Sequence, residues 1–281
     1  VKKVVIWGTG QGGKMMRNLL RADIEVVAYG DNNTKLHGNM MDGIPIIGAE
    51  HLSAINPDCI YIAILNKEAC IQVKAQLEKT GITSQIIVIT EYREQFDLRL
   101  ATLKLIAKEI YGHNIKGSVA ELGVYQGEFA TEINRLFPDQ KIYLFDTFEG
   151  FDKRDIKIEK ENKFSAAEVE NFNNTCINTV LSKLPYPKQA VIKKGYFPDT
   201  GRGLDEQFAL VSLDADLYQP LYEGLKFFYP RMNRGGYIII HDYNNTQFTG
   251  ANRAVKQFCK ENNVLVVPIC DLHGTAILIK Q

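Results

Sequence analysis

The chain has 281 residues, enough for two modest domains, and its 45% apolar and 23% charged residues are ordinary for a globular protein in water. Its 33 basic residues balance 33 acidic ones, so there is no overall basic field to attract nucleic acid or an anionic membrane. Apolar runs are strand-sized and too short to span a bilayer. The five cysteines lack CxxC spacing, which argues against a disulfide framework or a structural zinc site and fits a reducing cytoplasm.

In chain order, residues 3–7 read as a short buried strand, reached without the pattern of a signal peptide. Gly8, Gly10 and Gly13 then form a GxGxxG turn that opens a helix with Met15, Leu19 and Leu20. Residues 25–29 make a second strand that ends at Asp31, 23 residues after Gly8. An extended piece at 43–47, a strand at 59–65, a helix with Ile71, Val73 and Leu77, and a strand at 85–89 complete a first domain over residues 1–92. Such alternation predicts a parallel sheet. The turn suits a phosphate at a helix N-terminus, and Asp31 suits a ribose hydroxyl. The same turn also lets a helix pack closely on a strand, and a domain of this length does not hold a six-stranded dinucleotide fold. Nucleotide or nucleotide-sugar binding and a structural or docking role both stay open.

Residues 93–112 turn helical, with Phe96, Leu100, Leu103, Ile106 and Ile110 on one side, and read as a connecting helix. The alternation restarts in a second domain over residues 113–281. Strands are expected at 118–122, 141–145, 190–194, 209–213, 236–240, 264–268 and 275–279. Seven strands with helical intervals make a second doubly wound α/β sheet, and the polar stretch 153–182 reads as an insertion or lid. Gly123 and Gly127 form the turn after the first of these strands, and Asp146 ends the next one, 23 residues after Gly123. A carboxylate there can accept both hydroxyls of a ribose, at the strand ends where open α/β sheets bind ligands.

Three stretches carry a family resemblance: GSVAELGVYQGEFATEINRLFPDQKIYLFDTFEGFD, KKGYFPDT and SLDADLYQPLYEGLKFFYPRMNRGGYIIIHDY. In this order and spacing, from about residue 114 onward, the chain resembles the macrocin O-methyltransferase (TylF-type) family. Through WGTGQGGK and YGDNN, the first domain resembles the small Rossmann-like domains that precede sugar acetyltransferases and some methyltransferases. The resemblance implies a class I methyltransferase fold with S-adenosylmethionine as donor. It implies that Glu121, Gly123 and Gly127 line the donor, that Asp146 holds its ribose, and that Asp199 lies near the adenine. Tyr125, Thr147 and Phe148 flank the same turns and are counted with the donor site; aromatic residues there also serve as core packing.

Asp214 and Asp216 end one strand, and His241 and Asp242 end the next. In the class I order these strands are neighbours, so their ends converge. Asp214, His241 and Asp242 are therefore candidate ligands for a divalent metal. Oxygen donors suit Mg²⁺ or Ca²⁺, and an imidazole tilts the set toward Mn²⁺, Fe²⁺ or Zn²⁺. Such a metal, with Mg²⁺ expected, would activate an alcohol oxygen. The resemblance makes Asp216 the candidate base and Asp214 a ligand. Metal-dependent members of the family carry Asp-Asp-Tyr where this chain has His241-Asp242-Tyr243. His241 is thus a ligand, a base, or the mark of a lost metal; in the bland reading Asp214 and Asp242 cap loops and His241 packs in the core.

The expected function is S-adenosylmethionine-dependent O-methylation of a sugar or sugar-like hydroxyl. The acceptor is a small-molecule sugar or glycosylated compound, nucleotide-linked forms included, and a homo-oligomer is among the assemblies considered. Nucleic acid and membrane insertion are not expected. Two alternatives stand beside this reading. One is an NAD-dependent sugar-nucleotide oxidoreductase using the first glycine turn, which lacks a Tyr-x-x-x-Lys pair beside it. The other is a binding protein whose methyltransferase domain is catalytically dead.

Overall fold

The computed structural model describes residues 1–272 and 274–281. The chain divides into two compact units, Val1–Asp97 with Cys270–Leu272, and Leu98–Ile269 with residues 274–281. Among the described residues no helix is long and apolar enough to cross a membrane.

The first unit contains β1 (Lys2–Trp7), α1 (Gln11–Leu19), β2 (Ile24–Gly30), β3 (Met40–Met41), β4 (Ile44–Ile47), α2 (Leu52–Ile55), β5 (Cys59–Ile62), α3 (Lys67–Glu78), β6 (Gln85–Val88) and α4 (Ile89–Arg93). Its sheet runs β3-β4-β2-β1-β5-β6. Central β1 buries Val4, Val5, Ile6 and Trp7 almost completely, as a strand covered on both faces must. The only antiparallel pair among the described strands of this sheet is β3 with β4. It was not expected, yet Asp42-Gly43 between its strands is a two-residue hairpin signal, with φ of 51° and 77°. The strand expected at 59–65 stops at Ile62, and just beyond it the Ala63 carbonyl packs so close to Gly12 that a Cβ there would lie 2.0 Å from the oxygen.

The second unit opens with α5 (Leu98–Gly112), followed by β7 (Ser118–Leu122), α6 (Glu128–Leu136), β8 (Ile142–Asp146), α7 (Lys153–Asn162), α8 (Ile177–Lys183) and β9 (Ala190–Lys194). Then come β10 (Phe208–Leu213), α9 (Tyr218–Phe228), β11 (Met232–Ile240), α10 (Thr249–Asn262), β12 (Val267–Pro268) and β13 (Ala276–Ile279). The helix expected as a connector is α5; its Leu103, Ile106 and Ile110 are buried in the core of this unit. The seven strands run β12-β13-β11-β10-β7-β8-β9. β13 pairs antiparallel with both neighbours, since the short link from β12 cannot form the crossover a parallel pair needs.

Side-chain alternation in this sheet decides what reaches the site. Leu122, Phe145, Val211, Leu213 and Ile240 point to the α9 and α10 side, packed with Leu221, Phe228 and Phe258. Val119, Leu144, Leu210 and Ile239 point to the α5 and α6 side, packed with Ile106 and Ile133. Glu121, Ser212, Asp214 and His241 continue this second set by period two. A carboxylate from β7 and the polar ends of β10 and β11 are therefore aimed toward α5.

Candidate active site

A cavity of about 460 Å³ opens at the carboxyl ends of the central strands of the second unit. Its lining includes Glu121, Gly123, Tyr125, Asp146, Thr147, Asp214, Asp216, His241 and Asp242. Three other expected donor residues lie elsewhere. Gly127 starts α6 with φ of 82°, and a Cβ there would sit 2.9 Å from Val180, so its glycine serves packing. Phe148 is buried in the core behind the turn. Asp199 opens a one-turn helix and pairs with Arg202 at 2.7 Å and Arg154 at 3.5 Å.

Gly123 has a double role. With φ of 83° it turns the chain after β7, and a Cβ would stand 2.1 Å from the Asp214 carbonyl oxygen. The turn is held by Asp146, whose Oδ2 accepts from the backbone N–H of Val124 at 2.6 Å and of Tyr125 at 2.9 Å, while Oδ1 accepts from Phe148 N at 2.6 Å. A carboxylate has about four lone-pair sites, and Thr147 Oγ1 at 3.5 Å from Oδ1 is the fourth and longest contact, the one that a ribose hydroxyl would replace. In the first unit Asp31 does the same for the other glycine turn, taking Thr9 N at 3.2 Å, Thr9 Oγ1 at 2.5 Å and Asn33 N at 2.8 Å. There Gly8 has φ of 114°, a Cβ on Gly13 would lie 1.9 Å from the Gly8 carbonyl oxygen, and Gly10 borders open space.

At the acidic end, His241 Nδ1 lies 2.9 Å from Asp214 Oδ1 and 2.8 Å from Asp242 Oδ2. One imidazole proton cannot serve both oxygens, so the three atoms form a cluster with a common focus, and all lie within 4.8 Å of one another. Arg99 of α5 donates from Nη1 to Asp214 Oδ2 at 3.0 Å and from Nη2 to Ser212 Oγ at 3.3 Å, with its guanidinium 3.7 Å over the Phe129 ring. Burial opposes charge on Asp214, but the His241 and Arg99 cations outweigh it and hold its pKa below the usual carboxylate range. Burial likewise works against His241, yet Asp214 and Asp242 hold its pKa up to about 9. Burial, reinforced by Asp242, drives the Asp216 carboxyl well above its ordinary value, and burial with Asp214 does so for Glu121. Asp216 and Asp242 both occupy left-handed backbone, with φ of 55° and 57°, as does Tyr125 at 49°. Asp is among the residues that enter this region more readily, and the chain also uses it at helix ends such as Asn56, Lys163 and Asn263.

The wall opposite is aromatic. Tyr125, Phe172, Phe151 and Phe248 form a chain of edge contacts with centroid spacings of 5.3, 5.4 and 6.4 Å. Phe172 belongs to the polar insertion, which is anchored on the glycine turn by Tyr125 Oη donating to Asn174 Oδ1 at 2.8 Å and Gln126 Nε2 donating to Asn174 O at 2.9 Å. Asp155 of α7 also lines the cavity and accepts from Tyr196 Oη at 3.2 Å.

Sequence reasoning missed Arg99, Asn245, Asp155 and the insertion's aromatic residue. Arg99 had a signal: it stands four residues before Leu103, on the apolar stripe of α5, where a lone cation needs a buried partner. Asp155 had none, because it is one of many charges in a polar stretch.

A seven-stranded sheet of this order, with a glycine turn after β7, an acid at the end of β8 and an open cavity at the strand ends, defines a class I methyltransferase fold. The model of the family described as Macrocin-O-methyltransferase (TylF) matches residues 95–281, and the chain belongs to that family. Residues 1–88 match a second family, described as C2185-like, N-terminal. The demethyldecarbamoylnovobiocin O-methyltransferase of Streptomyces niveus is 24% identical over 160 residues, covering 52% of this chain and 60% of that one. The 8-demethyl-8-(2,3-dimethoxy-alpha-L-rhamnosyl)-tetracenomycin-C 4'-O-methyltransferase of Streptomyces olivaceus is 26% identical over 194 residues, covering 64% and 71%. Less than two thirds of the first relative's length is thus spanned. The solved structure of the O-methyltransferase NovP shares the fold, with a TM-score of 0.53 at 20% identity over 65% of this chain and 79% of that one.

Proposed function

We propose that this protein transfers a methyl group from S-adenosylmethionine to a hydroxyl of a sugar or sugar-like acceptor, with assistance from a divalent metal. The observation that carries this reading is the joining, in one cavity, of a nucleoside-type turn and a cluster of acids and an imidazole. The turn of Gly123 and Asp146 suits the adenosyl ribose, with Thr147 and Tyr125 beside it. The aromatic chain of Phe151, Phe172 and Phe248 offers apolar surface, as ligand pockets commonly do around a few placed polar groups.

The chemistry is a displacement at the methyl carbon. The C–S⁺ bond of the sulfonium breaks, a C–O bond forms, and the hydroxyl proton passes to a base. Asp216 and His241, which both line the cavity beside Asp214 and Asp242, are the candidate bases; each accepts the proton only in its deprotonated form, which a bound cation would favour. Asp214, His241 and Asp242 fit a divalent cation, because their three donor atoms converge and a single imidazole proton leaves that convergence incompletely served. When bound, such an ion would lower the hydroxyl pKa and stabilise the developing alkoxide. For the first unit we propose a nucleotide-linked group as ligand, on the strength of its glycine turn and the open space at Gly10.

Incubation with methyl-labelled donor and a panel of nucleotide sugars, with and without chelator, tests the proposal. Turnover is expected to fall in chelator and return with Mg²⁺ or Mn²⁺; equal turnover in chelator removes the metal role. Asp216→Asn is expected to keep donor binding and lose about 10²–10⁴-fold in turnover, the usual weight of a general base. Failure of the parent to bind donor by calorimetry sinks the whole reading.

A further inference from the structure

The two carboxylates of the Asp214–His241–Asp242 cluster are each held from behind. Asp214 turns Oδ1 to His241 and gives Oδ2 to Arg99 at 3.0 Å. Asp242 turns Oδ2 to His241 and gives Oδ1 to Asn245 Nδ2 at 2.5 Å. Neither clamp is loose. Arg99 is 7% exposed, pinned by Ser212 and stacked on Phe129. The Asn245 amide has one allowed orientation: its Oδ1 accepts from Gln247 N at 2.7 Å and Phe248 N at 3.4 Å, so its NH₂ must face Asp242.

We infer that Arg99 and Asn245 are positioning residues that restrict Asp214 and Asp242 to one ligand oxygen each, and so set this site for a small six-coordinate divalent cation and against Ca²⁺. The inference rests on the metal-assisted reading above. Ca²⁺ takes six to eight oxygens and favours bidentate carboxylates, which both clamps obstruct, whereas Mg²⁺ uses single carboxylate oxygens and keeps waters. An imidazole in the set further favours Mn²⁺ over Ca²⁺.

Calorimetric titration of the full chain with Mn²⁺ and separately with Ca²⁺ tests this, for the parent, Asn245→Ala and Arg99→Lys. The parent should bind Mn²⁺ at least about tenfold more tightly than Ca²⁺, and each substitution should narrow that ratio by about tenfold, the scale of an outer-shell change. Difference infrared spectra add a direct readout: the splitting between the two carboxylate stretches should move from a monodentate to a bidentate value when Ca²⁺ fills Asn245→Ala. Damage to the fold alone would weaken both ions in proportion. An unmoved Mn²⁺-to-Ca²⁺ ratio in both variants, with metal still bound by the parent, overturns the clamp and leaves the metal reading standing. A parent that binds neither ion overturns both.

Discussion

Asp155 shows how a single side chain can bind structure to pH. It is 6% exposed, in the first turn of α7, and burial pushes its carboxyl up to about 7 despite the Tyr196 hydroxyl that donates to it. In the unfolded chain the same group loses its proton near 3.8. Between those values the folded state holds one proton more, so stability falls as pH rises from about 4 to 7 and is level above that. The full effect is roughly 4 kcal/mol, at 1.36 kcal/mol per unit. Asp155→Asn should flatten this fall in urea midpoints measured across pH 4–7 without ligand; an unchanged slope would assign the dependence to other groups. Nothing in the sequence distinguishes Asp155 from its charged neighbours, because its burial is created by the fold of the insertion and the position of Tyr196.

At the level of elements, α7 is more than a cover. Glu159 on it is fully buried; Oε1 accepts from Tyr218 N at 2.9 Å and Oε2 from Ser165 Oγ at 2.6 Å. The residue before α9, Leu217, offers no side-chain cap, so α7 supplies that function from a distance. Because Tyr218 lies two residues past Asp216, this bond also fixes the loop that presents the candidate base. Glu159→Ala should cost about 1–3 kcal/mol in denaturant unfolding, the usual penalty for stripping a buried donor of its partner, and Glu159→Gln distinctly less. Equal losses would show that the carboxamide cannot make these bonds. Strands were the legible elements: β7 and β9 have the bounds expected from the sequence, 118–122 and 190–194. The β3–β4 hairpin was legible only through Asp42-Gly43, since two-residue strands carry no periodicity.

For the molecule as a whole, the equal count of acidic and basic residues conceals an uneven local distribution. Eight carboxyl groups line one cavity, Glu121, Asp214, Asp216 and Asp242 among them, and the basic residues of that lining are Arg99 and His241. Part of this was readable. Glycine turns and strand-terminal acids announce themselves by position, because a parallel sheet delivers its strand ends to one edge. The clamp contacts were not readable: the apolar stripe of α5 marks Arg99 as needing a buried partner, but it does not say that the partner is Asp214, and nothing marks Asn245 as the partner of Asp242. Asp199, which the family resemblance sets near the adenine, pairs in this fold with Arg202 and Arg154, contacts that no motif announces.

The left-handed backbone of Asp216 and Asp242 has an evolutionary corollary. At such positions an L-residue with a Cβ costs of order 1–3 kcal/mol that glycine avoids. Random drift toward glycine at Asp216 would therefore relax the chain and remove a half-buried acid together with the base role proposed for it. Asp216→Gly should melt at or above the parent by calorimetry and be inert; a lower melting temperature would mean that the acid contributes more to the fold than its backbone strain takes away. Under the base role proposed for Asp216, selection for robustness and selection for turnover would pull in opposite directions at this residue, and a descendant that lost the acid would persist as a sound fold rather than be cleared as a misfolded one.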